Sequence, residues 1–329
     1  MPMTIAITTP TGNVASKLAA YYRQAQQHDI DVVVLARKAQ AVSPWAQAGA
    51  RVFAGRLEDR DYLVNATRGV DALFWVTPNS FPPGVTLRRG YRQFAESAAH
   101  AIRTNRIKHI VHLSGFAHVE DGGGENSLFG ALADTERILG EAVEDLAHRH
   151  PDETYGITHL RSGFMFENLL GQLSNIRDAR RFYLPVNTKR RIPMVASHDV
   201  TAKVAEALLK GPPRGREIRG VWGPGDISFG QVADALTEGL GRRIRLFRLP
   251  RSIIHFQMLR IGRDPRMTDA LMSAFRAINK GNVTADPPRD ASSTTPMTIA
   301  QWAARTLRPL VDGTAGEVCP ARVQYEALE

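Results

Sequence analysis

A chain of 329 residues, 43% hydrophobic and 23% charged, can bury a sizeable core and fits one large α/β domain or one such domain with a smaller lobe. No apolar run reaches the length of a membrane span, and the first residues lack a basic region followed by a signal-type apolar segment, so a soluble, cytoplasmic protein with no membrane partner is expected. The net charge of +9 is spread through short clusters at Arg88-Arg89, Arg180-Arg181, Lys189-Arg190-Arg191 and Arg242-Arg243 without aromatic interleaving, which disfavours nucleic acid and fits solvated faces with a preference for anionic small molecules.

Thr4 to Thr8 is a β-branched apolar run, and helical spacing begins at Asn13 and continues to about Gln27, which reads as strand, turn, helix. In a doubly wound sheet such a turn holds a phosphate, because backbone N–H groups and the positive end of the helix dipole face the same anion. Of the three glycines usual in a dinucleotide-binding turn only Gly12 is present, with Thr9 and Ala15 in the flanking slots and Pro10 removing one donor. Thr9, Thr11, Gly12, Asn13 and Val14 are the candidate phosphate-binding residues, the alternative being an ordinary βα turn. The next run, Asp31 to Arg37, is continuously apolar as a buried parallel strand should be. At its end stand Arg37 and Lys38 and no carboxylate, which favours a 2′-phosphate, and so NADP over NAD, against the alternative of two solvated charges.

Strands follow at Arg51–Gly55, Val70–Val76 (ending in Thr77-Pro78) and Ile107–Leu113 (ending in Ser114-Gly115), separated by helices near Arg60–Thr67 and Thr86–Asn105. Strands alternating with helices at this spacing imply a parallel sheet whose ligands sit beyond the carboxyl ends of its strands. That rule gathers Thr9 to Val14, Arg37, Thr77-Pro78 and Ser114 to Phe116 on one rim. Ala117 to Ser127, with Gly122-Gly-Gly124, reads as a mobile loop, Leu128–His150 as a long helix and Tyr155–Arg161 as a sixth strand. Beyond it come short strands near Tyr183 and Ile192, helices at His198–Lys210 and Ser228–Glu238, and a strand near Ile218–Trp222. Residues 1–155 are expected to form the nucleotide-binding domain, 156–310 a smaller, partly helical substrate lobe interleaved with the sheet, and 311–329 a poorly ordered tail. The lone cysteine, Cys319, falls in that tail, and with no Cys/His cluster no metal is expected.

With these segments placed, the chain resembles the NmrA-like group of atypical short-chain dehydrogenases from about Thr4 to Leu310. The resemblance rests on Thr11-Gly-Asn-Val14, Leu35-Ala-Arg37, Gly69-Val-Asp-Ala72, Val76-Thr-Pro78, His198-Asp-Val200, Gly223-Pro224, Ser228 to Ala233, Leu240-Gly-Arg242 and Pro296 to Ala303. More specific is His159-Leu-Arg-Ser-Gly-Phe-Met-Phe-Glu-Asn-Leu169, similar to the family's Leu-Arg-Pro-Gly-x-Phe-Met-Glu-Asn signature. The resemblance implies a Rossmann-type doubly wound parallel sheet binding NADP(H) or NAD(H). It implies either a reductase of quinones, azo compounds, imines or phenylpropanoid-like molecules, or a regulator that senses the cofactor without turnover. It also places Arg161, Phe164 and Asn168 near the nicotinamide, in cofactor contact or in domain packing.

Typical short-chain dehydrogenases carry Tyr-x-x-x-Lys on the helix after the fifth strand, the lysine lowering the tyrosine pKa. The corresponding segment, Phe129 to Arg137, has neither residue, and Thr135-Glu136 stands where the family has a Lys-Glu or Thr-Glu pair. Carbonyl reduction through a tyrosinate is thereby disfavoured. Ser114, at the end of the fifth strand, and His118, which can titrate near neutral pH, are the catalytic candidates, against the plainer readings of a turn-closing serine and a bystander histidine. His112 points into structure, and packing or capping accounts for His159 and His198. An NADPH-dependent oxidoreductase of a small, largely apolar or aromatic substrate is the favoured reading. An NADP(H)-sensing regulator and a redox-neutral cyclase or isomerase are the alternatives; oligomeric state is not legible.

Overall fold

A computed structural model describes residues 2–19, 30–82 and 84–314. In chain order the elements of the first two thirds are β1 (Met3–Thr8), α1 (described over 15–19), β2 (Ile30–Ala36), α2 (Ser43–Gln47), β3 (Arg51–Ala54), α3 (Arg60–Ala66), β4 (Ala72–Trp75), α4 (Leu87–Asn105), β5 (His109–Ser114), α5 (Leu128–Arg149) and β6 (Gly156–Ser162). There follow β7 (Phe164–Met165), α6 (Leu173–Ala179), β8 (Arg181–Leu184), β9 (Arg191–Val195), α7 (Ser197–Lys210), β10 (Gly215–Val221), β11 (Asp226–Ser228), α8 (Phe229–Leu240), β12 (Arg245–Arg248), α9 (Arg251–Arg260), α10 (Pro265–Lys280), α11 (Ile299–Trp302) and α12 (Arg308–Val311). They belong to two compact units. The first takes the chain up to Ala117, then Ala131–Arg161 and Thr201–Arg219; the second takes His118–Gly130, Ser162–Val200 and the chain from Gly220 onward.

The first unit is built on a seven-stranded sheet in the order β3-β2-β1-β4-β5-β6-β10. β1 pairs in parallel with both β2 and β4, and the parallel ladder continues from β2 to β3 and from β4 through β5 to β6. The order reverses at β1, so the chain leaves the carboxyl ends of β1 and β4 in opposite directions and opens a crevice between them. The strands are apolar end to end because helices cover both faces: β6 is buried throughout, and β2 is buried except for Asp31. Leu73, Phe74 and Trp75 of β4 are at most 1% exposed, and burying each is worth roughly 2–3 kcal/mol. α4 shows why its segment is helical. Thr86 caps its first turn by accepting from the Arg89 amide, Leu87, Tyr91, Phe94, Ala98 and Ile102 recur at helical spacing and are buried, and Arg106 ends it in the left-handed region.

The second unit holds two small sheets, β11-β9-β7 and β12-β8, among α6 and α8–α12. Capping boxes set the starts of α8 (Ser228 with Gln231) and α11 (Thr298 with Gln301). Buried Glu167 ties the family-like segment down, accepting from the Ser197 amide at 3.0 Å and from Trp302 Nε1 at 3.0 Å. In residues 117–127, Asp121 is buried and accepts from the Gly123 amide, and Asn126 donates to Asp269 at 3.4 Å. One expectation needs correcting. Val311, placed by the sequence in a poorly ordered tail, is buried at the end of α12. The rest of the predicted tail beyond Thr314, with Cys319, and the predicted first helix beyond Ala19 lie outside the described residues.

Candidate cofactor and active site

The turn from β1 into α1 is held by side-chain bonds to the segment after β4 and to α2. Thr9 sits at φ 51°, a left-handed conformation rare for a β-branched residue, and is kept there by its hydroxyl, which donates to the Val76 carbonyl at 2.8 Å. Thr8 braces the same point, its hydroxyl accepting from the Val76 amide at 2.8 Å. Pro10 is buried, and its carbonyl accepts from Trp45 Nε1 at 3.3 Å. Pro10 is therefore turned into the protein, and Thr9, in the first glycine slot, is half-buried with its hydroxyl tied to Val76. Gly12 closes the turn, donating to the Thr9 carbonyl at 2.9 Å; a Cβ there would stand 3.2 Å from that same oxygen. Ala15, 1% exposed, fills the third slot with the smallest side chain that L-residues offer.

The helix proper starts with Ser16 donating to the Gly12 carbonyl at 3.0 Å. The amides of Thr11, Asn13 and Val14 precede that bond and have no partner among the described residues, nor does the buried Ser16 hydroxyl. Three amides without a partner at the positive end of a helix suit an anion, and the pyrophosphate of a dinucleotide is chemically of that kind. The donor set fits no metal: among the described residues no group of three His, Cys, Asp or Glu side chains gathers anywhere.

Arg37 and Lys38 follow β2 and are both exposed. Arg37 Nη1 donates to the Ser80 hydroxyl at 3.0 Å, so the segment after β4 helps to aim the guanidinium that follows β2. Thr77 is buried, its hydroxyl accepting from Trp75 Nε1 at 3.1 Å; Pro78 is half-buried beside it. Asn79 accepts from the Tyr91 hydroxyl at 2.7 Å, and burial pushes that phenol's pKa up, so Tyr91 stays protonated as a fixed donor.

At the ends of β5 and β6 the structure builds a buried charged network. Ser114 and Arg161 are register partners. The Ser114 hydroxyl donates to Glu136 Oε1 at 2.6 Å, and Arg161 grips both carboxylate oxygens, Nε to Oε1 at 2.9 Å and Nη2 to Oε2 at 2.6 Å. All three residues are at most 9% exposed. Such a bidentate pair fixes the carboxylate in one plane, and the serine proton is committed to it. Ser114 therefore presents oxygen lone pairs rather than a proton. Behind the network on the same strands lie His112 and His159, register partners with Nδ1 atoms 2.9 Å apart and rings edge to face. One ring must donate and the other accept. Burial lowers the His112 pKa to about 4 and that of His159 to about 2, the second helped down by His112, Arg216 and Arg161.

The structure thus brings together Thr9 to Val14, Arg37, Lys38, Thr77, Pro78 and Ser114 at the carboxyl ends of one sheet. His118 and Phe164 belong to the second unit. His118 Nδ1 lies 3.6 Å from the Asp286 carboxylate, and the Phe164 ring meets Phe229 edge to face with centroids 5.5 Å apart. Reading the sequence missed Ser80 as a partner of Arg37 and Glu136 as a partner of Ser114. The second was signalled faintly, since a carboxylate on the apolar face of α5 needs a cation and Arg161 ends the neighbouring strand.

A parallel sheet with its order reversing at β1, and a helix-capped anion cradle at that point, define a Rossmann-type nucleotide-binding protein. The chain belongs to the NmrA-like family, whose model matches residues 1–303. It is 25% identical over 271 residues to an NAD(P)H azoreductase from Xenophilus azovorans, covering 82% of this chain and 86% of that protein. Among solved structures, a nucleoside-diphosphate-sugar epimerase from Staphylococcus aureus superposes with a TM-score of 0.73 at 15% identity, covering 92% of this chain and 100% of that one. An NADPH-dependent quinone oxidoreductase from Escherichia coli, complexed with NADPH, superposes with a TM-score of 0.68 at 18% identity, covering 94% and 99%. At these identities the two structures bear on the fold, which they share along nearly the whole chain.

Proposed function

We propose that the protein is an NADPH-dependent reductase of small, largely apolar or aromatic acceptors, with quinones and azo compounds as the classes to test first. One observation supports the reading: the Thr11, Asn13 and Val14 amides at the start of α1 have no partner among the described residues, as a phosphate cradle requires. The azoreductase and quinone reductase relatives support the acceptor class. When bound, NADPH supplies hydride. The chain's own part is to position and to exclude water.

In this reading the turn amides and the α1 dipole hold the pyrophosphate, and Gly12 allows the backbone to approach it. Arg37, aimed by Ser80, meets the 2′-phosphate, with Lys38 adding charge beside it. Thr77 and Pro78 shape the rim after β4. Ser114, locked by Glu136 and Arg161, acts as a rigid hydrogen-bond acceptor at the end of β5 and takes no part as an acid. α5 supplies no tyrosine or lysine, so the acceptors that suit this site are those whose reduced form is a stabilised anion that water can protonate.

A second reading, a cofactor-sensing regulator, is favoured by the commitment of the Ser114 proton to Glu136. Anaerobic oxidation of NADPH, followed by its absorbance with a quinone or an azo dye present, separates the two. Acceptor-dependent turnover supports the reductase. Tight binding of NADPH with no turnover across both acceptor classes overturns it in favour of the sensor.

A further inference from the structure

Two of the arginine clusters that look dispersed in sequence, Arg180-Arg181 and Arg242-Arg243, are brought to one seam of the second unit. Between Glu238 and Asp264 the chain carries seven arginines, at 242, 243, 245, 248, 251, 260 and 263, and no acid. β12 pairs with β8 so that Arg245 lies beside Arg181, and the Arg245 amide donates to the Arg180 carbonyl at 3.1 Å. Arg180, Arg181, Arg243, Arg245 and Arg248 are all exposed. The nearby carboxylate of Asp178 is already engaged by Arg177 at 2.7 Å, and Asp264 by Arg266.

Large apolar side chains stand out of the same region. Phe247 on β12 is 41% exposed, with the Arg181 guanidinium 5.7 Å from its ring centre. α9 leaves β12 through Leu249 and Pro250 and exposes Ile253 (42%), Phe256 (65%) and Leu259 (37%) at three-residue spacing, followed by Ile261 (66%). Ile254 is the helix's buried apolar anchor. A helix that buries Ile254 and leaves Ile253, Phe256 and Leu259 exposed, beside a run of exposed arginines with no acid in sequence between Glu238 and Asp264, is not explained by the unit's own packing.

We propose that this face of the second unit docks on an anionic phospholipid bilayer, the arginines meeting lipid phosphates and carboxylates while Phe256, Ile261 and their neighbours enter the acyl boundary. Charge decides between occupants. A second copy placed by a two-fold axis would bring two such arginine clusters together without compensating acids, and nucleic acid offers aliphatic side chains no apolar phase to enter. The expectation of no membrane partner came from the absence of a spanning segment. Among the described residues no helix is long and apolar enough to cross a membrane, and a peripheral surface needs none.

The test is co-sedimentation of the full chain with vesicles of phosphatidylcholine alone and of phosphatidylcholine with about a third phosphatidylserine. Binding is expected only to the anionic vesicles and to vanish at about 1 M salt, where the Debye length is about 3 Å. Arg245→Gln with Arg248→Gln is expected to weaken it about 25-fold, about fivefold per arginine. Phe256→Ser with Ile261→Ser is expected to weaken it about tenfold or more, and Arg89→Gln in the first unit to leave it unchanged. Circular dichroism checks that each variant is folded. The proposal is overturned by equal binding to neutral vesicles, by no binding at all, or by variants that bind as the parent does. It is also overturned by an oligonucleotide that displaces the protein from vesicles, or by a dimer in light scattering that Phe256→Ser dissolves.

Discussion

Replacing Arg37 by alanine isolates the part of the site that distinguishes NADPH from NADH. The side chain is exposed and spends one of its donors on Ser80 at 3.0 Å, which leaves the remaining N–H groups of the fork for a phosphate. Hydrogen bonds to a charged group contribute about 1.5–3 kcal/mol, and solvent exposure places this one toward the lower end. The Kd for NADPH should therefore rise about 10- to 30-fold, while that for NADH, which lacks the 2′-phosphate, should change by less than about twofold. Ser80→Ala should give the same pattern at a few-fold, because it loosens the guanidinium without removing its charge. Fluorescence titration of both reduced nucleotides against the parent and both variants reads these ratios directly. If Arg37→Ala weakens NADPH and NADH equally, the guanidinium is not at the 2′-phosphate and the cofactor reasoning for β2 is wrong.

Three further outcomes follow from the buried polar groups. Glu136→Gln leaves the Arg161 guanidinium, 9% exposed, without its charge partner and should cost about 3–5 kcal/mol in urea unfolding; Glu136→Gln with Arg161→Met should recover much of that, and an unchanged midpoint in the single variant would contradict the network. His109 and His112 each have a pKa lowered by burial to about 4, below the unfolded value near 6.5. Their neutral forms therefore give full stability above about pH 6.5, and it is lost as pH falls from there toward 4, by about 3 kcal/mol for one histidine. Thermal melts across that window should show the fall, and His112→Phe should make it shallower, with His109 still contributing; a parent melting temperature constant from pH 7 to 4 would refute the burial argument. Thr9→Val keeps the shape but removes the bond to the Val76 carbonyl, so it should cost about 1 kcal/mol of stability and loosen NADPH binding; no change in either would mean that the turn is held otherwise.

The sheet was legible because its strands obey local rules. Asp31 to Arg37 is an apolar run too long to be exposed, and the alternation of strands with helices imposes a parallel order. The rim was legible for the same reason, since a topological rule names strand ends without reference to side-chain direction. What the sequence could not reveal depends on rotation and on long-range pairing. Glu136 meets Ser114 only because α5 turns that face inward, and the seam between β8 and β12 that joins Arg181 to Arg245 has no local signature. Thr9 stands in sequence in a slot where glycine is usual. Its hydroxyl turns out to be what secures the left-handed turn, because the Val76 carbonyl sits within reach across the sheet.

The account rests on the β1–α1 turn as a pyrophosphate cradle, and Gly12→Val tests it without touching Arg37 or Ser114. The added branches would crowd the Thr9 carbonyl, 3.2 Å from the new Cβ, and stand where the phosphate approaches. Titration with NADPH should show binding to the parent and a loss of at least about 100-fold in the folded variant. A parent that does not bind NADPH, or a variant that binds it as well as the parent, would contradict the claim.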